Sequence, residues 1–79
     1  MSQLEKLLNH IRNHRNSVRF EELNKILLHA GFERRQPRSG SSHYTYFKGN
    51  KLLTVPKHKP YIKEIYVVRA LALLQGEEI

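Results

Sequence analysis

Gly40-Ser41-Ser42-His43-Tyr44-Thr45-Tyr46-Phe47 sets a histidine at the head of an aromatic, β-prone run. Imidazole titrates near neutrality, so it can take and return a proton under physiological conditions. RNA carries its own nucleophile, the 2′-hydroxyl. Cleaving it needs a base for that oxygen, an acid for the departing 5′-oxygen, and cations for the charge that gathers on phosphorus. One histidine among arginines and lysines meets that minimum without metal. The small residues before His43 would let a phosphate backbone come close, where the Ser41 and Ser42 hydroxyls and loop N–H groups bind its oxygens.

The charge is distributed as that chemistry would need. The chain carries a net +7. Residues 1–31 contribute +2, residues 32–63 contribute +7, and residues 64–79 contribute −2. Arg34, Arg35, Arg38, Lys48, Lys51, Lys57, Lys59 and Lys63 all fall in the middle stretch, against Glu33 alone. Clustering of this kind marks a polyanion partner. A solubilising surface is the blander reading, and a strand histidine taken alone is more often structural.

A second basic group is Val55-Pro56-Lys57-His58-Lys59-Pro60, which leads into the last helix with Lys63 just beyond. Cations oppose the dipole at a helix N-terminus unless an anion sits there, so the group reads as a phosphate site. Solvated loop lysines are the alternative. Tyr44 and Tyr46 point to one face of their strand, and His43, Thr45 and Phe47 to the other. One set must pack on helices, and the other is available to stack bases. The sequence leaves open which. His10 and His14, four apart, lack the acidic partner of a zinc motif, so no metal site is expected. His29 reads as a helix-terminal residue.

The elements that must hold these residues are well punctuated. Leu4, Leu7, Leu8 and Ile11 form one stripe of a first helix, with a possible capping box at Ser2 and Glu5. A second helix spans about Arg19 to Ala30, with Glu21 and Glu22 in its first turn and Gly31 as its stop. Three strands follow: Phe32 to Gln36, Ser42 to Lys48, and Lys51 to Val55. Pro37–Ser41 forms a basic loop, and Gly49-Asn50 a hairpin turn. A last helix is expected from Tyr61 to Gln75, ending at Gly76. The order α-α-β-β-β-α predicts an α+β fold, its three-stranded antiparallel sheet covered on one face by helices. Seventy-nine residues make a single domain, 1–79, with residues 1–16 as an extra N-terminal helix and 17–75 as the core. There is no cysteine, no apolar run of membrane-spanning length and no signal-peptide pattern, which together suggest a cytoplasmic protein.

Phe20-Glu21-Glu22-Leu23 through Ala30-Gly31-Phe32, then Arg35, Gly40-Ser41-Ser42-His43-Tyr44 and Leu53-Thr54-Val55-Pro56-Lys57-His58-Lys59 closely resemble the HicA toxins of bacterial type II toxin–antitoxin systems. The resemblance covers residues 18 to about 74. It implies a fold like the double-stranded-RNA-binding domain. It also implies a ribosome-independent mRNA interferase, with no cofactor, silenced by a HicB-like antitoxin. On that match His43 carries the catalytic role and His58 a supporting contact. The chain departs from the pattern by a second serine before the histidine, which shifts the loop register by one. The first helix extends beyond the minimal family core and would be placed to dock the antitoxin or promote self-association. A non-catalytic RNA-binding module of the same fold remains the alternative. DNA repression is disfavoured, because no basic recognition helix follows a helix-turn-helix pattern.

Overall fold

The first two helices form where the sequence supplies a stripe to bury. In α1 (Gln3–Asn13), Leu4, Leu7 and Leu8 lie half-buried around a fully buried Ile11. In α2 (Phe20–His29), Phe20, Leu23, Ile26 and Leu27 are buried. The backbone N–H of Arg19 donates to the Glu22 carboxylate at 2.9 Å, satisfying one of the orphan donors at that helix end. The other end closes on Gly31, at φ +96°. Its N–H donates to Leu28 O, and Phe32 N–H donates to Leu27 O, both at 3.1 Å. These two bonds make a Schellman stop, and both Phe32 and Leu27 belong to the buried core.

The computed structural model describes residues 3–36 and 42–76. After α2 come β1 (Glu33–Arg35), β2 (His43–Lys48), β3 (Lys51–Pro56) and α3 (Glu64–Leu74). The protein is therefore a small α+β fold of three helices and one open antiparallel sheet, strand order β1-β2-β3. The capping box expected at Ser2 and the basic loop, including Arg38 and Ser41, lie outside the described residues.

Gly49 turns the β2–β3 hairpin with φ +59°, and Asn50 keeps a negative φ, the pattern of a type II′ turn. Lys48 and Lys51 face each other across it. Like charges so paired would repel, but each reaches a helix instead. Lys48 Nζ donates to Ala30 O at 2.7 Å and Lys51 Nζ to Leu73 O at 3.1 Å. Two cations thus sit at the carboxyl ends of α2 and α3, where the helix dipoles favour them.

The structure resolves which face of β2 is inside. Tyr46 is fully buried and Tyr44 packs against the core, joined there by Leu53 and Val55 of β3. His43, Thr45 and Phe47 therefore lie on the face away from the helices. The last helix begins later than expected, at Glu64 rather than Tyr61. Ile62 belongs to no helical stripe: its N–H donates to Val18 O at 2.8 Å and its side chain is buried. Residues 61–63 thus form an extended strap across the entry to α2, and Lys63 is the extended N-cap residue of α3. At its far end Gly76 takes φ +89°, as its position after the helix predicts.

Candidate nucleic-acid interface

The open face of the sheet is built in rows by strand register. His43 stands opposite Pro56. Arg35, Thr45 and Thr54 form the next row, and Glu33, Phe47 and Leu52 the one beyond. The Arg35 guanidinium lies over the Phe47 ring, 5.4 Å from its centroid. Thr45 and Thr54 hydroxyls meet at 3.3 Å. His43 is exposed, and Leu52 is 65% exposed despite being a large aliphatic residue. An imidazole, a guanidinium, an aromatic ring and hydroxyls thus share one solvent-facing surface.

Arg34 and Arg35, adjacent in sequence, part to opposite faces. Arg34 points to the helix side, where Nη1 donates to Asn24 Oδ1 at 3.0 Å and the guanidinium lies 5.3 Å from the Tyr44 ring centroid. Asn24 Oδ1 also accepts from the Tyr46 hydroxyl at 2.6 Å. Burial pushes the Tyr46 phenol up from 10.0 to about 12, with the nearby Arg34 charge opposing the rise. Tyr46 is therefore a structural donor and not an acid for chemistry near neutrality. Tyr44 in turn packs on Phe20 at 4.9 Å, and Lys57 Nζ lies 5.5 Å from the Phe20 ring. Lys57, Phe20, Tyr44 and Arg34 thus form one row, two packed rings with a cation at each end.

The remaining expected contacts are more dispersed. Ser42 is exposed, and its carbonyl accepts from Lys57 N–H at 2.7 Å, which extends the β2–β3 ladder by one bond. His58 is exposed, with Nδ1 3.1 Å from Tyr61 O. A carbonyl can only accept, so Nδ1 carries the proton, and in the neutral ring Nε2 keeps its lone pair. Lys59 lines an open groove of about 720 Å³ with Arg19, Glu21, Glu22 and Pro60. The two carboxylates make that groove a poor seat for phosphate. Lys63 is exposed at the N-cap of α3. Of these lysines, Lys57 and Lys59 thus lie by the first turn of α2, and Lys63 alone stands at the start of α3.

The other histidines are apart from this surface. His10 and His14 stack at 4.8 Å, and His10 Nε2 lies 3.4 Å from Glu22 Oε2. His29 is exposed in the last turn of α2. Among the described residues, no group of three or more His, Cys, Asp or Glu side chains is arranged to hold a metal ion. No helix among them is long and apolar enough to cross a membrane.

No family model, curated protein or solved structure matches this chain.

Asn24 is the residue that a reading by charge and motif passes over. Asn24 had one signal: a polar amide four positions from Phe20 and three from Leu27, inside an otherwise apolar helix face. Such a residue must find partners when the face is buried. It finds Arg34 and Tyr46.

Proposed function

We propose that this chain is a metal-independent endoribonuclease, the toxin of a type II toxin–antitoxin pair, with His43 as its acid/base. The observation that carries the reading is the position of His43: exposed on the open face of the sheet, on the side shared with Arg35 and Phe47. In this reading the imidazole takes the proton of a 2′-hydroxyl, whose oxygen attacks the adjacent phosphorus. The imidazolium so formed returns that proton to the 5′-oxygen as the P–O5′ bond breaks, giving a 2′,3′-cyclic phosphate and a 5′-hydroxyl. Arg35 stabilises the charge on the phosphorane, while Lys57, His58 and Lys63 bind RNA phosphates away from the scissile bond; Lys59, beside Glu21 and Glu22, contributes least. Arg34 supports the strand from behind.

The α-α-β-β-β-α order and the one-sided sheet favour a fold of the double-stranded-RNA-binding-domain type. The likeness to HicA toxins read from the sequence supplies the partner: a HicB-like antitoxin, acidic where this chain is basic, that covers His43. Complementary charge would speed their encounter. A second reading, an RNA-holding module without chemistry, draws on the Arg35–Phe47 stack, which can grip a base without moving a proton.

Incubation with RNA in EDTA tests the proposal. Cleavage should persist and leave 2′,3′-cyclic phosphates, and a 2′-deoxy nucleotide at a cut site should block that cut. A 5′-phosphate product would mean attack by water and would overturn it. RNA that stays intact would favour the binding module.

A further inference from the structure

The row Glu33–Phe47–Leu52 is apolar at its centre, and no helix or strand among the described residues covers it. Helices occupy the other face of the sheet, and Leu52 remains 65% exposed beside Phe47, its cross-strand partner. The Arg35 guanidinium lies over the Phe47 ring from the neighbouring row, so a cation and a ring already form one stacked pair on this surface. A nucleobase can extend that pair, stacking on the ring or on the guanidinium plane, while the cation takes the negative charge of its phosphate. Glu33, the lone acid of the basic middle stretch, is the third member of the row. A carboxylate there repels phosphate from the ring's own position and can accept a hydrogen bond from an exocyclic amino group.

We infer that Phe47, with Arg35 and Leu52, is a stacking platform for one unpaired base of the RNA bound at His43. This deepens the proposed function and rests on the reading of the chain as an RNA-binding protein. The platform selects single strands, because the bases of a duplex are already stacked and present only groove edges. Phe47 lies four residues along β2 from His43 on the same face, about 13 Å at the rise of an extended chain. A base held on Phe47 therefore leaves a neighbouring phosphodiester, not its own, at the imidazole. Specificity and chemistry occupy the two ends of one strand.

The test uses a single-stranded 2′-O-methyl oligoribonucleotide, which has no 2′-hydroxyl to attack, and the same strand annealed to its complement. Binding of each to the wild-type protein, Phe47→Ala, Phe47→Trp and Leu52→Ser is followed by fluorescence anisotropy at low salt, with circular dichroism to confirm folding. Loss of one stacked base should weaken single-strand binding about 5- to 100-fold in Phe47→Ala. Phe47→Trp should restore it, and Leu52→Ser should show a smaller loss. Duplex binding should be weaker from the start and indifferent to Phe47. Single-strand affinity unchanged in both Phe47→Ala and Leu52→Ser would overturn the inference, as would an equal loss for duplex. Self-association in wild type that Phe47→Ala abolishes, with RNA binding intact, would also overturn it and assign the face to a second copy. Because the probe cannot be cleaved, platform binding by a protein that never cuts RNA would defeat the nuclease proposal and leave this inference standing.

Discussion

At the residue scale, the hydrogen bonds around Asn24 explain why two adjacent arginines have different roles. Its Oδ1 accepts from both Tyr46 and Arg34, which ties β2 and β1 to α2. Arg35, one residue along, necessarily projects to the other face, beside Phe47. Charge clustering in the sequence counts both arginines alike, since side-chain direction depends on which face of the sheet the helices cover. That could not be settled while both faces of β2 carried aromatic residues. Tyr46→Phe isolates the buried hydroxyl. At neutral pH the variant should lose about 1 kcal/mol in urea unfolding, a typical net value for one hydrogen bond, because Asn24 keeps its Arg34 donor. The pH dependence has a definite sign. Tyr46 ionises near 10.0 when unfolded and near 12 when folded, so the unfolded chain loses this proton first as pH rises. The group's contribution is complete below pH 10 and declines as pH rises from 10 to 12. The stability gap between wild type and Tyr46→Phe should therefore narrow or reverse over that range. A gap independent of pH would show that the phenol is not shifted.

At the element scale, the punctuation of the chain was legible because it rests on local chemistry. Gly31 ends α2 in a Schellman stop and Gly49 opens the hairpin; each takes the positive φ its position implies. The start of α3 was not legible. Ile62 fits the apolar spacing of the helix, but a long-range bond to Val18 O pulls it into an extended strap. The roles of Lys48 and Lys51 were hidden for the same reason: their acceptors, Ala30 O and Leu73 O, are distant in sequence. The first helix, expected to extend beyond the domain core, sends Ile11 fully into the common core. Ile11→Ala should thus lower unfolding stability by about 2–5 kcal/mol, the range for truncating a buried aliphatic. A loss below about 0.5 kcal/mol, the scale of a surface substitution, would mean that α1 is an appendage.

At the scale of the whole molecule, the +7 of residues 32–63 overstates the charge offered to a partner. Lys48 and Lys51 serve helix ends and Arg34 an internal amide, leaving Arg35, Lys57, Lys59 and Lys63 as the described surface cations. What the fold adds is direction. One face of the sheet is closed by helices, and the other presents His43, Arg35 and Phe47 together. The histidine was legible from its strand, its glycine-serine lead and its basic surroundings; the neighbours on its face were not, because they come from the register of three strands. The central claim is that His43 moves the proton. Purified His43→Ala, folded as shown by circular dichroism, should be compared with wild type for cleavage of a single RNA in EDTA. The account predicts a rate lower by about 10²–10⁴-fold, the usual contribution of a positioned acid or base, with RNA binding retained. Cleavage by His43→Ala at the wild-type rate would contradict it.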